Sequence, residues 1–408
     1  MTATKTDNGH QASPQKQTDA RIRRCAILFI ELRERIAFDL GRLLAGETGL
    51  RSISEWIALA PHLETEIRIS SDELEILRQI SANDWADRLQ AEERFSAPAI
   101  ERLLEMGLLV PDCAAGLPHH AREGMLRKSW WRPLDAVVHA FSRWHQVNAT
   151  AKNETSGFAT IADMIAAYGL PPSHAHSILE PEQRLQLGRQ EPTPFDKLLD
   201  RRVTCRNFDP ESIVKLGEFE RVMQRVFGSQ GSEPWAPGAL AMKKTSPSAG
   251  GLHPVEAYVL LQRVEGIQPG LYHYHAGDHA LEPLASGTRE SLRTLAGQIV
   301  AGQDWFADAP VIVMLAARFQ RSFWKYRNHP KAYRTLLLDA GHLSQMLYLT
   351  ATELNLGAFI TAAINEVEIE QAFGLEPMEE GPLAVCGFGV RAAEKVTVEF
   401  DPAGKVWA

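Results

Sequence analysis

A short glycine-rich stretch followed directly by an apolar run constrains this chain more than any other feature. Residues 246–254 read Ser-Pro-Ser-Ala-Gly-Gly-Leu-His-Pro, and residues 255–261 read Val-Glu-Ala-Tyr-Val-Leu-Leu. The second run, rich in β-branched and aromatic residues, predicts a strand. Because small residues let a ligand approach the main chain closely, adjacent glycines before a buried strand indicate a ligand-binding loop. A plain turn entering a strand explains the same residues, so both interpretations stay open at this point.

The length and charge of the chain limit the classes of protein to which it can belong. With 408 residues it should hold two domains, or one large domain with an extension. A hydrophobic fraction of 45% is enough for a sizeable core. The formal net charge of -8 disfavours a protein that coats nucleic acid, because that function needs excess lysine and arginine. We therefore expect no nucleic-acid partner.

Cysteine usage and the N-terminal sequence indicate a cellular compartment. Cys25, Cys113, Cys205 and Cys386 have neither metal-ligand spacing nor a compact disulfide pattern. Such usage is typical of a reducing, cytoplasmic environment. No apolar signal core precedes Arg21, and no apolar run approaches the length of a membrane span. We expect a cytoplasmic protein without a membrane partner.

The first third of the chain predicts a tail followed by a helical domain. Residues 1–20 are polar and predict a disordered tail. Residues 21–148 predict a mostly helical domain, in which helices near Ser71 and Ser96 precede a short strand at 108–110. This order is similar to a winged helix-turn-helix, a module that recognises peptides or DNA. We favour a helical appendage packed on the main domain, because no basic face stands out.

Prolines separate this region from the rest of the chain. Residues 149–194 predict a short helix at about 160–168 and then a proline-rich linker. The second domain is therefore predicted to span residues 195–408.

Three arginines lie close together near the start of the second domain. Residues 201–208 read Arg-Arg-Val-Thr-Cys-Arg-Asn-Phe. Guanidinium groups match phosphate oxygens with forked donors, and Thr204 adds another donor, so the segment could clamp a phosphate. A solvated helix end is the common alternative. The apolar Val203, Cys205 and Phe208 indicate partial burial, and buried arginines need anions.

A lysine and a tyrosine follow a strand that we predict to be buried on both faces. The apolar residues 310–317 form that strand, and Ser-Phe-Trp-Lys-Tyr-Arg follows at 322–327. A lysine shielded from water can act as a base, and a neighbouring phenol can exchange a proton with it. From the residues alone, a surface lysine beside an aromatic packing neighbour is the favoured explanation of Lys325 and Tyr326.

The remaining segments predict regular structure. Residues 270–281 predict a β-hairpin, and its histidines lack the partners of a metal-ligand set, so we expect no metal site. Residues 331–354 predict the longest helix, with an apolar stripe for the core or a dimer interface. Strands are predicted at 358–362 and 384–391.

Two motifs in this order, Arg-x-Thr-x-Arg-x-Phe and Pro-Ser-Ala-Gly-Gly-Leu-His-Pro, resemble the FMN-dependent nitroreductase superfamily. The closer resemblance is to its azoline-dehydrogenase branch, the SagB-type enzymes of thiazole- and oxazole-modified peptides. The resemblance covers residues 195–391. It implies an α+β fold with a mostly antiparallel nitroreductase-like sheet flanked by helices, here with an N-terminal helical, winged-helix-like extension. It also implies FMN as cofactor and a homodimer, since the second motif commonly reaches the flavin of the partner subunit.

The resemblance also implies individual site residues. The FMN phosphate and ribityl chain would be held by Arg202, Thr204, Arg206 and Arg391. The flavin ring would lie along Pro247, Ser248, Ala249, Gly250 and Gly251. Backbone groups of Ala358 and Phe359 would lie near its reactive edge. The azoline ring carbon would be deprotonated by Lys325 and Tyr326 as a hydride passes to the flavin.

Together these features predict an enzyme that oxidises azoline rings of a ribosomal precursor peptide to azoles. Aromatisation removes a hydride and a proton, so it needs a flavin acceptor beside a base. A cyclodehydratase would be a further partner. The second interpretation is an NAD(P)H-dependent FMN reductase of nitroaromatics or quinones, which would not need Lys325 and Tyr326. The third is a non-catalytic scaffold that binds a peptide.

Overall fold

The structure is a computed structural model that describes residues 21–112, 118–155, 157 and 160–407. The tail predicted at residues 1–20 lies outside the described residues. The chain divides into two compact units, Met1–Ser129 with Ala136–Phe141 and Trp130–Asp135 with Ser142–Ala408. Within the part of the chain that the structure describes, no helix is both long and apolar enough to cross a membrane.

The first unit begins with strands and continues with short helices. The strands and the helix between them are β1 (Arg21–Arg24), β2 (Phe29–Phe38), α1 (Leu40–Leu44), β3 (Leu50–Leu59) and β4 (Ile67–Ile69). The elements that follow are α2 (Ser71–Gln79), β5 (Ala86–Asp87), α3 (Arg88–Arg94), α4 (Ala97–Glu105), β6 (Leu109–Pro111), α5 (Pro118–Lys128) and α6 (Pro133–Ser142).

The prediction of mostly helical structure from Arg21 is wrong for residues 21–69, which form four strands and one short helix, and holds from Ser71 onward. β2 and β3 pair antiparallel along ten residues each. Arg35 and Glu55 form an ion pair of 2.6 Å across this hairpin. The glutamates and arginines of β2 are good helix formers, but cross-strand partners stabilise them in a sheet. Pairing between strands thus overrides local propensity here.

Two helices of the first unit, α2 and α4, lie where the sequence predicts them. A capping box formed by Ser70 and Glu73 starts α2, and α4 is followed by strand β6. β6 joins β1 and β5 in a sheet of order β5-β1-β6. Strand β5 and helix α3 lie between α2 and α4, and the winged-helix-like arrangement of this unit stays a prediction. A recognition role for this unit stays a prediction.

The second unit contains the larger sheet. Its first elements are α7 (Ala149–Thr155), α8 (Ile161–Tyr168), a 3-10 turn (Pro181–Gln183), α9 (Pro194–Asp200), α10 (Leu216–Val226), β7 (Gly231–Ala236), β8 (Ala239–Lys243) and a second 3-10 turn (Ala249–Gly251). These are followed by β9 (Val255–Leu261), β10 (Gly270–His275), β11 (Ala280–Ser286), α11 (Arg289–Ile299), α12 (Asp304–Ala307), β12 (Val311–Arg318) and α13 (Phe319–Lys325). The last elements are α14 (Ala332–Glu353), β13 (Gly357–Thr361), α15 (Glu366–Phe373) and β14 (Glu380–Gly389).

Six strands of this unit form one sheet in the order β11-β10-β9-β12-β14-β13. Every neighbouring pair in it is antiparallel. The predicted antiparallel sheet flanked by helices is therefore confirmed, as are the β10–β11 hairpin and the long helix α14. Strand β12 is buried from Val311 to Ala317, as its continuous apolar sequence predicts.

Helices cover the sheet on both faces. Val259 and Val313 face a core that contains residues of α10 and α14. Leu260 and Ile312, one residue along each strand, face a core with residues of α11, α12 and α15. Since successive side chains of a strand point to opposite faces, the apolar runs of β9 and β12 supply both cores at once.

Phe359 on β13 is a sensitive test of the second core. Its ring is fully buried and stacks on Phe306, with 4.0 Å between centroids and 9° between planes. We expect Phe359→Ala to lower the free energy of unfolding by about 3–5 kcal/mol, because the cavity cannot collapse fully. Urea titration measures this. Phe400, which is 81% exposed, provides the control: equal losses in Phe359→Ala and Phe400→Ala would contradict the prediction.

Candidate functional site

Helix α14 supports both sequence motifs. Asp339 of this helix contacts the glycine-rich loop, and Tyr348 contacts the arginine segment. Nine residues separate the two, which corresponds to about 13.5 Å along the axis at a rise of 1.5 Å per residue. The two motifs therefore rest on different parts of one helix.

The arginine segment runs beside strand β13. The amide of Cys205 donates to the carbonyl of Ala358 at 2.8 Å, and Thr204 pairs with Ala358 as a parallel bridge. Alternation along this extended segment buries Val203 and Cys205. The residues between and beside them lie on a partly exposed face, namely Arg202, Thr204 and Arg206. The three predicted phosphate ligands thus share one face.

Tyr348 holds this segment against the sheet. Its hydroxyl lies 2.9 Å from Thr204 Oγ1 and accepts from the amide of Ile360 at 3.2 Å. The guanidinium of Arg202 lies 5.2 Å from the centre of the Tyr348 ring. Burial raises the pKa of Tyr348, so the phenol stays protonated. Because Tyr348 can donate its proton to Thr204, the Thr204 hydroxyl can donate its own to an anion.

Arg391 lies beside the same segment but is engaged by a carboxylate. Its Nη1 donates to Glu399 at 2.5 Å, and its Nη2 donates to the carbonyl of Val203 at 2.8 Å. Glu399 also accepts from the backbone amide of Arg206 and from Trp407 Nε1. Burial favours the neutral acid, yet the hydrogen bonds hold the pKa of Glu399 below its usual value. Arg391 thus braces the arginine segment, and its contact with a phosphate stays a prediction.

Ala358 and Phe359 offer only backbone groups to this region. The Ala358 side chain is 2% exposed, and the Phe359 ring lies in the core. That the backbone of β13 would face a ligand stays a prediction.

The glycine-rich loop makes a tight turn against Lys325 and Tyr326. Gly250 and Gly251 have φ angles of 62° and 68°, which favour glycine. A Cβ atom on Gly250 would lie 2.7 Å from the Tyr326 hydroxyl and 2.9 Å from Lys325 Nζ. Nζ itself donates to the Gly250 carbonyl at 3.5 Å. The fold therefore brings together the predicted flavin loop and the predicted catalytic pair.

Asp339 fixes the conformation of this loop. Its carboxylate accepts from Ser248 Oγ at 2.6 Å and from the amide of Ala249 at 3.2 Å. Ser248 Oγ in turn accepts from the amide of His253 at 3.0 Å. Asp339 is 4% exposed, and burial raises its pKa while the hydrogen bond from Ser248 opposes that shift. Sequence reasoning missed this role, although a carboxylate inside the apolar stripe of α14 was a usable signal.

Helix α13, which carries Lys325, packs against an aromatic cluster. Phe319 and Phe323 each lie 4.7 Å from the Trp131 ring, measured between centroids. Lys325 occupies the last turn, where the helix dipole favours a cation. Its side chain is exposed, as expected for a surface lysine, so the described residues of this chain do not shield the amine from water. The geometry holds the amine in place without desolvating it.

A small cavity lies beside the glycine-rich loop, and one of its lining residues is a buried lysine that the sequence patterns did not identify. Lys244, His253 and Asp339 are among the residues that line it. Lys244 is 4% exposed, and burial lowers its pKa. Burial, with the nearby charges of Lys244 and Arg321, also lowers the pKa of His253 to about 4. His253 is therefore a neutral imidazole at pH 7.

Removing the Asp339 carboxylate should loosen the loop. Asp339→Ala leaves the Ser248 hydroxyl and the Ala249 amide without their acceptor, which costs about 1–3 kcal/mol for each buried unsatisfied group. We expect faster amide hydrogen exchange in residues 246–254, measured by mass spectrometry. Glu353→Ala on the same helix removes an exposed carboxylate and is the matched control. Equal exchange in wild type and Asp339→Ala would show that the carboxylate does not hold the loop.

His253 should make the free energy of unfolding depend on pH under mildly acidic conditions. The unfolded chain binds a proton at His253 near pH 6.5, whereas the folded chain resists it down to about pH 4. Between these values the unfolded state binds more protons, so the free energy of unfolding falls as pH is lowered. We expect the free energy of unfolding, measured by denaturant titration at pH 7.0 and 4.5, to fall less in His253→Asn than in wild type. The exposed His342→Asn is the control, and an unchanged fall in His253→Asn would refute the assignment.

Comparison with known proteins identifies the family to which the second unit is similar. The nitroreductase family profile matches residues 199–390. MJ1384 of Methanocaldococcus jannaschii, which bears the name nitroreductase, is 30% identical over 146 residues, covering 36% of this chain and 70% of that protein. The trifolitoxin-processing protein TfxB of Rhizobium leguminosarum bv. trifolii is 29% identical over 146 residues, covering 35% of this chain and 38% of TfxB. The microcin B17-processing protein McbC of Escherichia coli is 27% identical over 190 residues, covering 45% of this chain and 65% of McbC.

The matched span contains both motifs and the elements that support them, while Arg391 and Glu399 lie beyond its end. It holds the arginine segment, the glycine-rich loop, Lys325, Tyr326 and helix α14. The chain spans less than two thirds of TfxB and of McbC. The family is one of flavin-type oxidoreductases, so membership implies redox chemistry. The sequence match and the helix-flanked antiparallel sheet lead to one conclusion: this chain belongs to the nitroreductase family.

Proposed function

We propose that this chain is an FMN-dependent dehydrogenase that oxidises azoline rings to azoles in a ribosomally made peptide. The observation that carries the proposal is the approach of Lys325 and Tyr326 to Gly250. A base and a phenol thus stand beside the loop along which a flavin ring would lie. The names of TfxB and McbC, which process trifolitoxin and microcin B17, support a peptide as substrate.

The residues of the chain fit FMN. Arg202, Thr204 and Arg206 offer charged and hydroxyl donors on one face, which suits a phosphate. The loop from Pro247 to Gly251 has small side chains and left-handed glycines, so a flat ring can lie against its main chain. When bound, FMN supplies the acceptor for the hydride that the azoline ring loses.

Lys325 and Tyr326 would manage the proton that leaves the same ring. Breaking one ring C–H bond as a proton needs a base within hydrogen-bond reach, and the amine of Lys325 is such a group. The Tyr326 hydroxyl, close to the same glycine, can pass that proton towards solvent. With one hydride and one proton removed, the azoline becomes an aromatic azole.

A homodimer would complete the site. Leu337 and Leu338 of α14 are 49% and 62% exposed, and Trp324 of α13 is 53% exposed. Apolar side chains on the two helices that support the site suit a subunit contact. The separation of about 13.5 Å between the two motif anchors on α14 leaves room for the loop to serve the flavin of a partner subunit. Such a partner would also cover Lys325 and supply the shielding that a base requires.

The proposed partners are a precursor peptide and the cyclodehydratase that forms the azoline ring. The azoline must exist before it can be oxidised, so a ring-forming enzyme has to act first. The names of the two processing proteins support the peptide, and the order of the chemistry supports the ring-forming enzyme.

A reductase of nitroaromatics or quinones is the second candidate. The exposed Lys325 and the match to 70% of MJ1384 favour it, since a reductase needs no shielded base. The two candidates differ in the direction of hydride transfer.

Replacing the base separates these candidates. Lys325→Ala should keep the visible flavin absorbance of the purified protein and slow azoline oxidation at least about 100-fold, because general-base catalysis contributes that much. Loss of two hydrogens from an azoline peptide, followed by mass spectrometry, measures the reaction. Lys331→Ala, an exposed lysine just before α14, is the control.

Three outcomes would contradict the proposal. Unchanged turnover in Lys325→Ala would remove the assigned base. Rapid NADPH oxidation with a nitroaromatic, without azoline oxidation, would favour the reductase. A wild-type protein that stays colourless with added FMN would favour a non-catalytic scaffold.

A further inference from the structure

The β7–β8 hairpin stands apart from the main sheet beside the site. Its two strands pair with each other in a two-stranded sheet, and every residue of β7 is exposed. Isolated hairpins of this kind are marginally stable in water, so contacts at their ends determine where they lie. β8 ends at Lys243, three residues before the glycine-rich loop begins at Ser246. The hairpin is therefore tied to the site by a short, direct connection.

Trp235 of this hairpin lies close to both the glycine-rich loop and Lys325. A Cβ atom on Gly251 would lie 3.4 Å from Trp235 Cζ2 and 3.7 Å from its Cη2. Lys325 Nζ lies 5.8 Å from the centre of the Trp235 ring. The side chain is nonetheless 49% exposed. One edge of the indole thus rests on the double-glycine bend, and much of the ring remains open to a ligand.

The surroundings of Trp235 are apolar on the hairpin side. A shallow cavity is lined by residues 234–240 alone, including Pro234, Pro237 and Leu240. Leu240 is 63% exposed. Exposed apolar groups that adjoin a reaction site are suited to hold an apolar part of a substrate.

We propose that Trp235 is the substrate-binding residue on which the five-membered heterocycle of the peptide stacks. This inference rests on the function proposed above and names the group that orients its substrate. Aromatic rings such as the azole product prefer offset or edge-to-face contact with an aromatic side chain, and the azoline has nearly the same outline. A heterocycle on the open part of the indole would lie next to Lys325 and beside the glycine bend, between the base and the loop.

The same ring can favour the product of proton transfer. Once Lys325 has taken a proton, its ammonium group lies within the distance at which an aromatic face attracts a cation. Trp235 would thereby hold the heterocycle and stabilise the charge that its deprotonation creates.

Substitution of Trp235 in the full-length, FMN-loaded protein tests this inference. Trp235→Ala should raise KM for an azoline peptide, and Kd for the matching azole peptide, about tenfold, which is the upper range of an aromatic pair. The value of kcat should change less than KM. Trp235→Phe should restore most of the binding, because phenylalanine keeps a flat ring. Trp144→Ala, at an exposed tryptophan of the same unit that has no role in the site or the subunit contact, is the matched control.

Peptide anisotropy gives Kd without turnover, and light scattering gives the assembly state. If wild type oxidises the azoline peptide while Trp235→Ala keeps wild-type KM and Kd, the Trp235 assignment is wrong and the proposed function stands. If Trp235→Ala changes only the assembly state, the hairpin is a subunit contact and the assignment is again wrong. If wild type neither oxidises the azoline peptide nor binds the azole peptide, both proposals fall.

Discussion

The hydrogen bonds of one buried carboxylate determine the shape of the site. Asp339 accepts from Ser248 and Ala249, and this pairing holds the glycine-rich loop on helix α14. Asp339 is 4% exposed, and burial of a carboxylate costs free energy unless hydrogen-bond donors compensate it. Its two donors must therefore stay within hydrogen-bond distance. The loop therefore has one conformation in which Gly250 lies under Lys325 and Tyr326. Every chemical role assigned to the loop depends on that geometry.

Helix α14 connects this loop to the arginine segment because the helix is packed against the sheet. Leu336, Leu343 and Leu347 are buried, and the core on that face also contains residues of β9 and β12. Tyr348, one residue beyond Leu347, receives the arginine segment through Thr204. A rigid, packed element thus sets the spacing between a predicted anion-binding face and a predicted ring-binding loop. Leu337 and Leu338 of the same helix are exposed.

Sequence patterns predicted much of the fold because periodicity reports burial. Continuous apolar runs identified β9 and β12, and the apolar stripe identified α14, since each pattern follows from the faces that the element must bury. The strands at residues 21–69 were missed because Glu and Arg in β2 suit either structure, and cross-strand pairing decided between them. The positions of Asp339, Lys244 and Trp235 beside the glycine-rich loop were missed for a related reason. A single polar or aromatic residue has no periodicity that reveals its neighbours.

By itself the sequence determined the strands of the sheet, the long helix and the two motifs that resemble the nitroreductase superfamily. These properties depend on residues that are close in the chain. The tertiary structure alone decided which side chains meet. Lys325 lies 75 positions from Gly250, and Asp339 lies 91 positions from Ser248. Such contacts form only when separate segments pack on a common sheet, because the geometry that joins them belongs to the whole fold and to no local stretch of sequence.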